Sequence, residues 1–359
     1  RFFAEEYGEE KLLDLLEGAW KDRDFRIVIA TTFQEEFSVI SQKFQDWLKE
    51  QYYPELSDVE LPSIIAGGLS TEGFSAKPNF YRFNSGERRV YFVGNLNGLS
   101  NVYSLPVDQN YSPLGEPEIL IKGERNDEFE SFHLFESRIS VSGSGSLAFV
   151  TKSGGQDVIH VYDLEADKLT ETHRFKDLVA VYSPSWNPDG SRVVFTAITQ
   201  SGFSDLYVFD VESKELQQLT ADTYDDRDPA WSPDGTHIAF SSDRTALGQK
   251  GAYNLFTYGL NDGQIRYVTY GDRVDFSPTW SPDGGDLAFV SSVRDDEGRY
   301  SAQDIWVADM SADASRGGSL ANNDRADSTG APTWKAMEQL TKLVSAAYDP
   351  VWTADNRLI

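Results

Sequence analysis

The sequence predicts a mainly β protein, a six-bladed β-propeller with a small α-helical segment in front of it. Three observations carry this. A unit of roughly 45 residues recurs along most of the chain. Each clear unit joins an aromatic opener to a Pro-Asp-Gly turn and an apolar triplet. The first 56 residues carry the apolar spacing of helices instead.

Residues 1–56 form the helical segment. Phe2, Phe3, Tyr7, Leu12, Leu13, Leu15 and Leu16 recur at helical spacing, punctuated by Gly8 and Gly18. Asp24 is placed to cap a short helix running through Ala30. A longer helix follows, with Phe33, Phe37, Ile40, Phe44, Trp47 and Leu48 on one stripe and an expected end at Pro54. The stripe reads as packing.

The repeats follow. Pro184-Ser185-Trp186-Asn187-Pro188-Asp189-Gly190 precedes Val193-Val194-Phe195, Pro229-Ala230-Trp231-Ser232-Pro233-Asp234-Gly235 precedes Ile238-Ala239-Phe240, and Pro278-Thr279-Trp280-Ser281-Pro282-Asp283-Gly284 precedes Leu287-Ala288-Phe289. Weaker copies open at Phe80 and Val141, and Pro350-Val351-Trp352 opens a sixth. Each unit reads as a small antiparallel sheet. Pro-x-Trp lies on the first strand, Pro-Asp-Gly turns the chain, and the triplet forms the second strand. Third strands are expected at Asn101–Val107, Asp157–Leu164, Asp205–Val211, Asn254–Leu260 and Asp304–Met310. Fourth strands are expected at Leu216–Thr220, Gln264–Tyr270 and Met337–Leu343. One such sheet cannot bury both faces, so neighbours must stack into a ring. The propeller is expected over residues 75–359, with a flexible Ser-, Asn-, Asp- and Gly-rich insertion at 311–333. Residues 57–74 read either as a linker or as a strand that returns to complete the last blade.

Composition narrows the function. The 359 residues hold 58 Asp plus Glu against 32 Lys plus Arg, a net charge of −26. Such a surface repels phosphate backbones and anionic lipid, so nucleic acid is not an expected partner. No run of about 18 apolar residues occurs, so direct membrane insertion through a helix is not expected. The absence of Cys removes thiol chemistry and disulfides. The acid excess reads either as solubility or as adaptation to high salt, where mutual repulsion is screened. No signal-peptide pattern is present, and because residue 1 is Arg the natural N-terminus is expected to lie upstream.

The Trp-Ser-Pro-Asp-Gly units, the following Ile-Ala-Phe, and the closing Gln-Leu-Thr at 218–220 and 339–341 resemble TolB-like (WD40-like, PD40) propeller repeats. The resemblance covers about 75–359 and is degraded at the Phe80 and Val141 units, where Ser-Gly-Ser-Gly stands at 142–145. It implies a six-bladed, extracytoplasmic propeller of the periplasm or cell envelope that binds protein or peptide. Phe3, Tyr7-Gly8, Leu12 through Leu16, Trp47-Leu48 and Tyr53-Pro54 resemble the helical tail of a peptidase-MA-like (gluzincin) metallopeptidase domain. That family's zinc motif, His-Glu-x-x-His, is absent from this sequence and is expected, if present, upstream of Arg1.

Catalytic motifs are missing. The four His (His133, His160, His173 and His237) show no i, i+4 pair, and there is no Gly-x-Ser-x-Gly elbow or phosphate-binding glycine fingerprint. No catalytic residue and no metal ligand is therefore assigned. What remains is the channel mouth. Residues just before each first strand gather there: Tyr182, Asp226, Arg227, Asp228, Asp275, Phe276, Tyr348 and Asp349. Aromatics with an Arg suit a protein or peptide hot spot, and clustered Asp could hold a calcium ion as cofactor. Alternatively these carboxylates bond blade backbone and the aromatics plug the channel. The expected function is a non-catalytic binding scaffold of the cell envelope. The alternative is a substrate-gating propeller of a larger zinc metallopeptidase.

Overall fold

The computed structural model describes residues 1–56, 73–123, 129–133, 137–295, 297–311, 337–342 and 346–359. The chain divides into two compact units, Arg1–Glu60 and Leu61–Ile359.

The first unit is helical: α1 (Phe2–Tyr7), α2 (Glu9–Gly18), α3 (Phe25–Phe33) and α4 (Phe37–Leu56). Asp24 caps α3 by accepting from the Arg26 N–H. Gln34 ends α3 in the left-handed region at φ 57°, so Phe33 closes the third helix rather than opening the fourth. The fourth helix runs on to Leu56, past Pro54: the fixed φ of Pro is itself helical. Phe2, Leu15, Val28, Ile29, Phe33 and Ile40 are buried together, with Tyr7 and Trp47 packed on them. The Tyr7 hydroxyl donates to Glu35 at 2.7 Å and the Trp47 indole to Glu5 at 2.8 Å.

The second unit is a propeller. Its first blade is β1 (Phe74–Arg82), β2 (Arg88–Asn95), β3 (Asn101–Val107) and β4 (Glu118–Lys122). In the second, β5 (Ser131–Phe132) and β6 (Ser140–Val141) both pair with β7 (Ser146–Ser153), followed by β8 (Gln156–Asp163) and β9 (Lys168–Arg174). The third is β10 (Ala180–Trp186), β11 (Arg192–Ile198), β12 (Ser204–Asp210) and β13 (Leu216–Gln218). The fourth is β14 (Asp226–Trp231), β15 (His237–Ser242), β16 (Asn254–Gly259) and β17 (Ile265–Tyr267). The fifth is β18 (Arg273–Trp280), β19 (Asp286–Val293), β20 (Asp304–Asp309) and β21 (Met337–Gln339). Every pairing within these sheets is antiparallel.

The described residues thus carry five blades, which corrects the expected six. The Trp352 unit forms a hairpin in which Trp352 bridges Leu358 and Val351 exchanges hydrogen bonds with Ile359 at 3.0 and 2.9 Å. Among the described residues no third or fourth strand pairs with it. Of the expected insertion at 311–333 all but residue 311, and of the expected segment 57–74 residues 57–72, lie outside the described residues.

Local chemistry explains the repeat. In the turns, Gly190, Gly235 and Gly284 sit at φ 74°, 69° and 74°, a region that other residues enter at a cost. Asp189, Asp234 and Asp283 each accept the backbone N–H two residues on. The closing Gln-Leu-Thr is also structural. Gln218 donates to Asp205 at 3.1 Å and Gln339 to Asp304 at 3.0 Å, while Thr220 and Thr341 hydroxyls accept the third-strand N–H of Leu206 and Ile305. Apolar clusters straddle neighbouring blades: Val194, Leu206 and Val208 of the third meet Trp231, Ile238, Phe240 and Phe256 of the fourth. Ile359 of the hairpin packs on Val90, Phe92 and Leu105 of the first blade.

Candidate functional site

The innermost strands share one irregularity. Their register shifts between Ala76 and Asn79, Tyr182 and Ser185, Arg227 and Ala230, and Phe276 and Thr279. At each break a residue before proline adopts positive φ: Lys77 at 59°, Ser183 at 51°, Asp228 at 52° and Ser277 at 52°, with Asp349 of the hairpin at 50°. Such bulges re-aim side chains and end regular pairing. Here they line up the innermost turns of the first, third, fourth and fifth blades and of the hairpin.

These bulge residues bond to one another. The Ser183 hydroxyl donates to Asp228 at 3.0 Å and the Ser277 N–H to the other Asp228 oxygen at 3.3 Å. Ser277 donates its hydroxyl to Asp349 at 3.0 Å, and the Lys77 ammonium meets the same Asp349 oxygen at 3.0 Å. A belt of side chains therefore links the third, fourth and fifth blades, the hairpin and the first blade. Arg138, at the matching position of the second blade, donates to the carbonyls of Pro278 at 3.0 Å, Asp228 at 3.1 Å and Pro229 at 3.3 Å. Its side chain thus reaches across the axis to the fourth and fifth blades.

Above this belt lies a cavity of about 1040 Å³. Tyr182, Arg227, Phe276 and Tyr348 line it, with the belt residues Asp228 and Asp349. Tyr348 is 59% exposed. The Arg227 guanidinium lies 4.7 Å from the centre of the Tyr253 ring and 3.3 Å from Asp225. Burial raises the Tyr253 hydroxyl above its ordinary pKa. Tyr182 packs edge-on against His133, whose Nε2 lies 2.9 Å from Asp157.

The remaining two expected mouth residues are elsewhere, and their assignment is corrected. Asp226 is fully buried, with Arg244 donating to its two oxygens at 2.6 and 2.7 Å. Burial pushes its carboxyl up to about 6, against the pull of that arginine. Asp275 is likewise fully buried and accepts from Arg273 at 2.7 Å. Burial raises its pKa while Arg273 opposes the shift. Alternation along a strand explains both: each Asp neighbours a mouth residue in sequence and so faces the other way.

The donor sets fit a metal ion poorly. Asp228 and Asp349 already accept hydroxyl, N–H and ammonium donors, which leaves a calcium ion in the channel competing with Lys77. Among the described residues, Asp205, Asp222 and Asp226 bring carboxylate oxygens within 4.8 Å of one another. Arg244 answers that charge, lying 3.3 Å from Asp222 besides binding Asp226.

Sequence reasoning missed Lys77, Tyr253 and Arg138. Lys77-Pro78 repeats the residue-before-proline pattern of Ser183, Asp228, Ser277 and Asp349, and that alignment would have found it. Arg138 holds the same offset without a proline. Tyr253 comes from a neighbouring loop and has no signal in the repeat.

Stacked four-stranded blades with a cavity beside a bonded belt of bulge residues define a propeller. A model of the TolB beta propeller domain (PD40) matches residues 134–334, more than half of the chain, and the chain belongs to that family. No curated protein sequence matches it. Among solved structures, one assigned as TolB from Agrobacterium tumefaciens is 20% identical with a TM-score of 0.51, covering 80% of this chain and 89% of that one. TolB from Acinetobacter baumannii is 19% identical with a TM-score of 0.49, covering 70% of this chain and 51% of that one. The chain therefore spans about half the length of the Acinetobacter protein. At these identities the likeness is one of fold.

Proposed function

We propose that this propeller is a non-catalytic scaffold of the cell envelope that binds a protein or peptide at its channel mouth. The observation that carries the reading is the cavity itself. It places an exposed Tyr348, the Tyr253-backed Arg227, Phe276 and Tyr182 in one concavity. Aromatic side chains bury much area at low entropic cost, and aromatics with Arg dominate binding energy at interfaces. Membership of the TolB beta propeller family supports the partner class, and the envelope placement rests on the same kinship. A random-sequence peptide array probed with the full chain, followed by fluorescence anisotropy on the retained peptides, tests the reading. Tyr348→Ala and Arg227→Ala should each weaken binding by about tenfold or more while unfolding is unchanged. Affinity indifferent to both substitutions rejects the mouth as the binding site.

A second reading rests on the helical unit, which is compact and carries its own aromatic core. It makes the propeller the substrate gate of a zinc metallopeptidase whose His-Glu-x-x-His helix lies upstream. Sequencing the gene upstream of Arg1 decides it, since an upstream region without that motif removes the reading.

A further inference from the structure

We propose that Asn110 is an acceptor site for N-linked saccharide. The inference rests on the extracytoplasmic placement given above, and it starts from a motif that the binding function leaves unused. Asn110-Tyr111-Ser112 is the single Asn-x-Ser/Thr tripeptide with a non-Pro centre in the chain. It lies in the connection between β3 and β4, where Asn110 and Ser112 are both exposed.

The geometry separates the roles of the three residues. The turn is held without the Asn110 side chain. Asp108 accepts the Asn110 N–H at 2.7 Å and the Ser112 N–H at 2.9 Å, and the Asp108 N–H donates to the Ser112 carbonyl at 2.9 Å. Tyr111 stands at φ 64° and turns its ring inward: it packs on Phe80 at 5.2 Å, lies under Arg357 at 5.5 Å, and donates its hydroxyl to Asp355. The Asn110 carboxamide has no hydrogen-bond partner among the described residues. Three other asparagines of the propeller show the contrast, their side chains being bonded into the fold. Asn97 accepts from Leu99 and Asn101, Asn79 bonds Ile139 and Val141, and Asn187 bonds Asp189 and Arg192. A bulky, hydrated group on Asn110 would therefore displace no contact of the fold.

The reaction joins the Asn110 side-chain nitrogen to the anomeric carbon of a saccharide carried on a lipid diphosphate. The C–N bond forms, the anomeric C–O bond to diphosphate breaks, the lipid diphosphate leaves, and the amide nitrogen loses one proton. The transferase and its lipid-linked donor come from the host.

Intact-mass measurement and peptide mapping test this, on the full chain secreted from an N-glycosylating host alongside a known acceptor protein. Expected is a saccharide mass on the peptide holding Asn110, lost in both Asn110→Gln and Ser112→Ala, with the unfolding midpoint of each unglycosylated variant matching that of the unmodified parent. An unmodified Asn110 beside a modified control overturns the proposal, and so does saccharide that persists in Asn110→Gln. Forced secretion keeps this separate from placement. Fractionation of the source cells tests whether the natural protein is exported, and failure there would remove the envelope reading while leaving the acceptor result standing.

Discussion

Lys77 and Asp349 stand 272 positions apart in the chain and meet at 3.0 Å, with side chains 11% and 6% exposed. The pair joins the hairpin that ends the ring to the first innermost strand, and Ser277 ties the same carboxylate to the fifth blade. Removing one member of a buried ion pair strands the other charge, which typically costs about 3–5 kcal/mol. Lys77→Ala or Asp349→Ala should therefore lower stability by about 3 kcal/mol. The double variant Lys77→Met, Asp349→Leu should lose less than either single change. Urea unfolding of the three variants measures this; single losses under about 0.5 kcal/mol would show the pair to be no more than a surface contact.

Arg138 is the second long-range tie. Its guanidinium serves three carbonyls of the fourth and fifth blades, and hydrogen bonds from a charged donor contribute about 1.5–3 kcal/mol each when one partner is lost. Part of the group remains in contact with solvent, so Arg138→Ala is expected to cost about 2–3 kcal/mol in total. Arg138→Lys should recover less than half of that, since a single ammonium cannot span carbonyls that a planar fork reaches. Equal midpoints for Arg138→Lys and the parent protein would contradict the fork argument.

The sequence showed the blades wherever local chemistry repeats. The third strand expected at Asn101–Val107 is found there, and those expected at 157–164, 205–211, 254–260 and 304–310 fall within one residue at either end. Each expected range opens on an Asp or Asn, with β8 and β12 starting one residue earlier at Gln156 and Ser204, and each strand pairs with its sequence neighbour, both short-range properties. Blade number was not legible, because Pro350-Val351-Trp352 carries the opening strand chemistry whether or not two further strands follow. The mouth was legible for the six residues that the cavity gathers, since a fixed offset before each Trp survives the bulge. It failed at Asp226 and Asp275, where side-chain alternation on a strand matters more than proximity in sequence. The buried partners Arg244 and Arg273 lie at different offsets from their aspartates, so no repeat pattern announces either pair.

His160 and Asp226 should pull the pH dependence of stability in opposite directions. The His160 ring is held between the Thr151 hydroxyl at 2.8 Å and the Thr172 hydroxyl at 3.0 Å, stacked on Phe149. Burial first, then repulsion from Arg174 and His173, pulls its pKa down to about 4. Unfolded His titrates near about 6.5, so between these values the unfolded chain holds more protons and stability falls as the pH drops from about 6.5 toward 4. For Asp226 the folded pKa of about 6 exceeds the ordinary 3.8. The folded chain then holds more protons in that window, and stability falls as the pH rises through it. His160→Gln removes the first arm alone. Its stability deficit against the parent at pH 7 should shrink by about 2 kcal/mol at pH 4.5. A deficit that stays constant between the two pH values would show that His160 does not titrate differently on folding.

The charge excess gives a prediction of opposite character, because it concerns exposed groups. At a net charge of −26 the compact state holds carboxylates closer together than the unfolded chain does, and self-repulsion opposes folding. The screening length falls from about 10 Å at 0.1 M salt to about 3 Å at 1 M, so repulsion between neighbouring surface carboxylates is largely removed over that range. The urea midpoint should rise with KCl, most steeply below about 1 M, where the screening length changes most. The shielded Lys77–Asp349 and Arg244–Asp226 pairs, whose side chains are at most 11% exposed, are screened much less and should not reverse the trend. NaCl at equal concentration should give the same curve, since screening depends on ionic strength and not on the cation. A midpoint that is flat or falls with KCl would mean that the surface carboxylates are already neutralised by their local partners, and adaptation to high salt would then be rejected in favour of plain solubility.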